Sequence, residues 1–387
     1  MSKAIRFFKK NTVFCVAALA AFITAFFVPP DAEYLSYFDF RTLACLFLTL
    51  AVVSALGNVK FFTILARKLV LLSGNLRRLF LLLVVITFVG SMIIANDMAL
   101  ITFLPLGYFA LSVTKNDKFM AYLFILQNIS ANLGGMLTPF GNPQNLYLYS
   151  FFEIPTAEFT AIMLPPFLLA MAMLAVFCFF VKPEKLSFHE DFPEKFHVKK
   201  TVLYMVLFAF SLLIVFRIIP FWLGLAVIPT VLFFVDKDAL YEVDYSLLGT
   251  FFFFFIFSGN LARIDAVNEF FSFLLEKDAL IVSTLSCQFI SNVPSAILLS
   301  RFTSDYHSLL LGVNIGGTGT LIASLASLIT FSEFRILYPE QTKKYLVMFT
   351  AINLIFLVVM TAAAKLFFPW LIEILKNMVY NIFQKAR

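Results

Sequence analysis

The sequence predicts an all-α polytopic membrane protein, built as an inverted repeat with two re-entrant hairpins and two broken transmembrane helices. Three observations predict it. Hydrophobic residues make up 61% of the chain and charged ones only 13%, with a mean hydropathy of +0.93, against roughly 25% charged in a soluble domain. Several apolar runs are interrupted near their middles by Asn, Gly, Ser and Pro rather than by charge, and these interruptions recur in the same order in the second half. The 387 residues suffice for nine or ten spans of about 20 residues each, and no hydrophilic stretch is long enough for a soluble domain.

Other classes are excluded by what accompanies this pattern. The net charge is +6, but the basic residues flank apolar spans, so they read as topology signals rather than a nucleic-acid surface. Cys15, Cys45, Cys178 and Cys287 are scattered in apolar runs, which gives neither a disulfide framework nor a metal cluster. His189, His197 and His307 fall in predicted loops and no HExxH pattern occurs. No nucleophile lies beside a base, so no enzyme is expected and no cofactor is implied.

In chain order, residues 11–28 form the first span, with Lys3, Arg6, Lys9 and Lys10 before it placing the amino terminus in the cytoplasm. Residues 42–57 return to a basic stretch from Lys60 to Arg78, whose middle suits an interfacial helix. The apolar run 79–113 would be about 52 Å long as one helix, too long for a ~30 Å core. It is also short of two spans plus a turn, so a hairpin with Asn96 and Asp97 at its tip fits it. Residues 119–151 then form a broken helix: Asn128, Asn132, Gly134, Gly135, Pro139, Gly141, Asn142, Pro143, Gln144 and Asn145 crowd into it with no charge nearby. Such backbone is tolerated at membrane depth only where it lines a protein cavity. Residues 160–181 close the first half, 1–181.

A cytoplasmic linker, 182–200, precedes the second half, 201–387. There two spans meet at a turn near Arg217 and Pro220, a third covers 246–258, and residues 262–278 read as a helix lying flat in the interface. Residues 279–302 form the second hairpin around SNVPS, 307–331 the second broken helix around NIGGTGT, and 343–367 the last span, followed by an amphipathic tail. Most Lys and Arg fall on the cytoplasmic side of this layout, which puts the carboxyl terminus outside.

The repeat is legible residue by residue. Asn132, Gly134, Gly135 and Thr138 match Asn314, Gly316, Gly317 and Thr320 at a constant offset, and Asn142 and Asn145 fall on Ser324 and Ser327. Asn96 corresponds to Asn292, and Gly57–Asn58 to Gly259–Asn260. Inverted repeats with discontinuous helices are the organisation of many secondary transporters, with substrate and ion held at the midplane. The candidate site is therefore Asn96, Asp97, Asn132, Gly134, Gly135, Thr138, Asn142 and Asn145 on one side. Ser291, Asn292, Ser295, Asn314, Gly316, Gly317, Thr318, Thr320 and Ser324 form the other. Helix N-termini offer N–H groups to an anion, and the oxygens suit sodium or a proton. Sodium is expected at Asn96, Asp97 and Asn142, and again at Ser291, Asn292 and Ser324. Asp97 is an ionisable group within the membrane, a mark of an ion or proton pathway. Its other reading is a cap for the second hairpin arm.

ANDMALITFLPL and NLGGMLTPFGNPQN, with SNVPS and NIGGTGT, resemble the ion transporter superfamily of citrate and dicarboxylate symporters, arsenite permeases and a group of sodium/proton antiporters. The resemblance implies a mobile transport domain on a scaffold, elevator-type alternating access, a homodimer and a small anionic or oxyanion substrate. In the dicarboxylate branch both tips read Ser-Asn-Thr; here they read Ala95-Asn96-Asp97 and Ser291-Asn292-Val293. The Asn-Asp pair resembles the arsenite-permease branch, which implies proton coupling. Sodium/proton antiport is the alternative on the same fold, and a passive channel a more distant one.

Overall fold

The computed structural model describes residues 11–61, 64, 73–186 and 197–374. Lys3, Arg6, Lys9 and Lys10, the middle of the expected interfacial helix between Lys60 and Arg78, His189, and the amphipathic tail beyond residue 374 lie outside the described residues.

Among the described residues the chain is helical apart from one antiparallel bridge, Asn75 to Lys185. In order the α-helices are α1 (Thr12–Phe27), α2 (Phe40–Asn58), α3 (Leu76–Ile94), α4 (Asn96–Val113), α5 (Met120–Gly134), α6 (Pro143–Phe151), α7 (Thr156–Phe179) and α8 (Val198–Val215). They continue with α9 (Phe221–Val235), α10 (Lys237–Tyr241), α11 (Tyr245–Ala262), α12 (Asp265–Ile290), α13 (Asn292–Leu299), α14 (Tyr306–Ile315), α15 (Leu325–Leu337) and α16 (Thr342–Leu366). Among the described residues seven segments are long and apolar enough to cross a membrane: α2, α3, α4, α7, α8, Lys237–Ala262 and Pro339–Leu366. Helices α1 and α9 are apolar but shorter. Polar residues start several of these helices. Asp39 accepts from Thr42 N–H, Asn75 from Arg78, Asp244 from Leu247 and Asp305 from Ser308, each satisfying a donor that the first helical turn leaves free.

The two interruptions stop helices where the sequence says they must. After Gly134 the chain makes a single tight turn, Gly135–Leu137, and resumes as a helix only at Pro143, the first position of α6. Pro suits that position because its missing N–H would be unpaired there anyway. After Ile315 the chain again leaves the helix, turns at Leu321–Ala323 and restarts at Leu325. Packing interlocks the halves. Helix α3 lies against α4 and α5, and α15 packs on both α4 and α5; α12 lies against α13 and α14, and α6 packs on both α13 and α14. Helices α8 and α9 pack on α2, and α11 on α1.

One length argument of the sequence reading does not hold. Helices α3 and α4 are 19 and 18 residues long and are joined by Ala95 alone. A one-residue turn makes each arm long enough to cross, so run length by itself does not separate a hairpin from two spans. The segment 262–278 and the arm that follows it meet at Asp278, whose φ of −165° and ψ of 84° are not helical, so α12 is two helices joined at a kink on the expected boundary. Asp278 caps the arm through Ile281 N–H at 3.1 Å and holds Lys365 with its other oxygen.

The end of α11 is pinned to the loop after α1. Arg263 grips both oxygens of Asp31, at 2.7 and 3.1 Å, and donates to Tyr37 Oη at 2.9 Å. Tyr37 lies flat against Gly259, where a Cβ would strike the ring, which explains the glycine of the second Gly-Asn pair. The hydrogen bonds from Arg263 hold Asp31 below the usual carboxylate range. A depressed carboxylate contributes stability above its unfolded pKa and loses it as pH falls through the folded one. Arg263→Ala should therefore lower the melting temperature at pH 7, and the gap from the unsubstituted protein should narrow as the pH falls below the carboxylate range. Thermal melts across pH check this.

Candidate functional site

The two helix junctions have the same backbone. Ala95 has φ 64° and ψ 153°, and Ser291 has φ 76° and ψ 158°, a region populated almost only by glycine and costing another residue on the order of 1–3 kcal/mol. Immediately after each stands an asparagine whose Oδ1 accepts the next N–H: Asn96 from Asp97 at 3.0 Å, and Asn292 from Val293 at 2.9 Å. Each junction is tied to the neighbouring break by a threonine. Thr138 Oγ1 donates to Met92 O at 2.7 Å, and Thr320 Oγ1 to Gln288 O at 3.0 Å. At the first junction Asn96 N–H also donates to Gly141 O at 3.1 Å, inside the break.

The breaks are bound to each other through side chains. Asn132 Nδ2 donates to Ser324 Oγ at 3.0 Å, and Asn128 Nδ2 to Ser327 Oγ at 3.2 Å. Asn314 sits at the crossing: its Nδ2 donates to Asn145 Oδ1 at 2.6 Å, and its Oδ1 accepts from Asn142 at 3.2 Å and Gln144 at 3.3 Å. Asn96 Nδ2 reaches Asn132 Oδ1 at 3.4 Å. Asn128, Asn142, Asn145 and Ser327 are completely buried. What the sequence separates into two sides is thus one network, in which residues of the first half bond to the second as well as to one another.

Small residues make this approach feasible. At Gly134 a Cβ would run into the Phe88 carbonyl, and at Gly135 into Asn142 Oδ1. Gly316 faces Cys287, and a Cβ at Gly317 would lie 3.1 Å from Asn292 Nδ2. Ser295 bonds Ser286 across α12 and α13 at 2.9 Å, and Thr318 Oγ1 turns back to Ile315 O at 2.7 Å. Thr320 is exposed.

Several buried oxygens accept nothing: Asp97 Oδ1, Asn142 Oδ1, Gln144 Oε1 and Gln127 Oε1. The capping role considered for Asp97 belongs instead to its neighbour Asn96, which leaves the carboxylate uncommitted. Arg301, close in sequence to the second junction, donates to Tyr37 O and lies over the Phe151 ring at 5.2 Å. Gln127, Asn128, Gln144, Gln288, Ser327 and Thr330 join the network outside the candidate set. Asn128 and Gln144 belong to the interrupted stretch itself and Ser327 stands opposite Asn145 in the repeat, whereas Gln127, Gln288 and Thr330 are polar side chains within helices that no Gly-Gly or Pro marks.

A cavity of about 340 Å³ opens beside α4, lined by Asn58, Lys60, Ile101, Thr102, Pro105 and Glu242 among others. Asp97 lies on the same helical ridge as Ile101 and Pro105, since residues four apart stack along one face. A second cavity of about 350 Å³ adjoins it and shares Asn58 and Glu242.

Comparison with known proteins gives a consistent picture. The family described as Citrate transporter matches residues 4–305. An uncharacterized transporter of Methanocaldococcus jannaschii is 32% identical over 331 residues, which cover 85% of this chain and 90% of that protein. The inner membrane protein YbiR of Escherichia coli is 27% identical over 334 residues, 84% of this chain and 88% of its own. A silicon efflux transporter of Oryza sativa subsp. japonica is 32% identical over 158 residues, 40% of this chain and 32% of its own.

The glycine contacts give a direct test. Gly134→Ala should destabilise by about 1–3 kcal/mol, the usual range for overpacking, because the obstacle is backbone. Gly57→Ala, where nothing lies within 4 Å of the added carbon, should leave the melting temperature of the detergent-purified protein unchanged or raise it.

Proposed function

The chain belongs to the citrate transporter family of secondary transporters, and from that premise we propose that it moves a small inorganic or organic anion, of carboxylate, oxyanion or arsenite-like chemistry, coupled to sodium or protons. One observation carries the reading: four helix N-termini, those of α4, α6, α13 and α15, are drawn together by a buried network that leaves acceptor oxygens unpartnered. Helix N-termini present partial positive charge and suit an anion, while unpartnered oxygens beside a carboxylate suit a small cation. An anion and a coupling cation could thus share one place.

The inverted repeat belongs to this reading. Its support is the common geometry at Ala95 and Ser291, the paired asparagine caps, and the paired threonine ties. Treating α3–α4 and α12–α13 as re-entrant hairpins is supported by the tip bond from Asn96 to Gly141, which puts the tip level with the interior of a broken helix. The site is then the network residues with Asp97, and the cavity along α4 is the approach to it from one face. Elevator-type movement, a homodimer, a cytoplasmic amino terminus and an outer carboxyl terminus complete the proposal. The name of the silicon efflux relative favours an oxyanion or its acid among the substrate classes. Sodium/proton antiport is the second reading, favoured by the same unpartnered oxygens, all of which are acceptors.

Reconstituted vesicles decide between them. Uptake or release of a carboxylate, oxyanion or arsenite driven by a sodium or proton gradient is the expected result. Sodium exchanged for protons with no such solute moved would replace the anion carrier by the antiporter. Asp97→Asn should abolish the pH dependence of transport and reduce its rate at least tenfold, with folding checked by thermal melt. Unchanged pH dependence would remove Asp97 from the coupling path.

A further inference from the structure

We infer that the second helix break holds no coupling cation: the Gln288 carboxamide stands among its carbonyls where a cation would bind, so any coupling cation is taken on the Asp97 side. The inference uses the carrier reading as its frame and adds which half of the site is open to a cation.

Gln288 lies in α12, one turn before the Ser291 junction. Its Nε2 donates to Gly316 O at 2.8 Å and Thr318 O at 3.1 Å, both in the break, and to Thr284 O at 3.1 Å. Its Oε1 accepts Thr320 N–H at 2.9 Å. Three oxygens around one nitrogen that carries two N–H groups is an acceptor-rich shell of the kind that hard cations seek. The orientation of the amide follows from its partners, since turning it over would set its oxygen against three carbonyls and its nitrogen against an N–H. Gly319 permits the insertion: its φ is +116°, and a Cβ there would strike Gln288 Oε1.

The remaining oxygens expected to ligate on this side are also committed. Asn292 Oδ1 accepts Val293 N–H at 2.9 Å, Ser291 Oγ donates to Asn292 Oδ1 and to Ala323 O, both at 3.4 Å, and Ser324 Oγ takes Asn132 Nδ2 at 3.0 Å while bonding Ser327 at 2.9 Å. None of the three buried unpartnered oxygens near the breaks belongs to the second half; they are Asp97 Oδ1, Asn142 Oδ1 and Gln144 Oε1. In the first half the position matching Gln288 is Met92, which has no N–H to offer. There Asn145 Nδ2 covers the break carbonyls, at 3.1 Å to Met136 O and 3.4 Å to Gly135 O and Thr138 O. Asn142 Oδ1 and Gln144 Oε1 in the same segment, and Asp97 Oδ1 next in sequence to the tip residue Asn96, accept nothing. Both breaks thus carry a carboxamide donor, Asn145 in the first and Gln288 in the second, and the halves differ in the acceptors left over, since Asp97 Oδ1, Asn142 Oδ1 and Gln144 Oε1 all belong to the first.

The test is thermal melting of the detergent-purified full chain over a sodium chloride series, with choline chloride holding ionic strength. The proteins compared are the unsubstituted chain, Asp97→Asn, Gln288→Met, Gln288→Glu and the Gln288→Glu/Asp97→Asn pair. With Gln288 intact, any saturable sodium response should vanish in Asp97→Asn. Gln288→Glu keeps the shape but sets an acceptor against the carbonyls. It should melt lower than the unsubstituted protein in choline and recover by several degrees, saturably, in sodium, and the recovery should persist in the double variant. Gln288→Met removes the donor without adding charge and should melt lower with no sodium recovery. A saturable sodium response surviving in Asp97→Asn with Gln288 intact, or no sodium response in a folded Gln288→Glu protein, would overturn the inference. Should Gln288→Glu not fold, the Asp97→Asn titration decides alone. Melting requires no transport, so failure here is distinct from failure of vesicles to accumulate an anion.

Discussion

The structure depends on one constraint: a polar group placed at membrane depth must be satisfied by protein, because lipid offers nothing in return. The two helix breaks expose carbonyls and N–H groups, and the carboxamides of Asn128, Asn132, Asn142, Asn145, Gln288 and Asn314 are arranged around them. Most of those amides reach across from one half to the other. Neither half could bury its own break alone, which is why α15 packs on α4 and α5 while α6 packs on α13 and α14.

Magnitudes argue that this core is not there for stability. Interhelical side-chain hydrogen bonds average about 0.6 kcal/mol in membranes, whereas each buried unpartnered oxygen costs about 1–3 kcal/mol. Asp97, Asn142, Gln144 and Gln127 each leave one, and Ala95 and Ser291 add strained backbone without being glycine. An apolar core of the same volume would be the more stable solution.

Around the network the contacts are of a different kind. Arg217 donates to Tyr149 O and lies over that ring at 4.4 Å, and Arg301 donates to Tyr37 O over the Phe151 face. Both arginines hold the end of α6 against neighbouring loops, with a guanidinium stacked on an aromatic ring, a contact that keeps both its charge and its planarity in use. The cavity beside α4 begins with Lys60, Asn58 and Glu242 instead.

Much of this was legible in the residues. Apolar composition dictated helices, and Gly134-Gly135, Pro139 and Pro143 dictated where one of them stops. The repeated Asn-x-Gly-Gly pattern marked both breaks, because glycine and proline act locally, through φ, missing N–H groups and missing Cβ atoms. Length counting was less informative at Ala95, since the size of a turn is a backbone property that no composition reveals. What only the tertiary structure decided is who bonds to whom: that Asn132 serves Ser324, that Asn314 joins Asn142, Gln144 and Asn145, that Asn96 caps α4 in place of Asp97, and that Gln288 fills the second break. Those pairings run between residues far apart in the chain, or between side chains competing for one N–H. A hydrogen bond is settled by geometry to within a few tenths of an ångström, which residue identity and spacing alone do not supply.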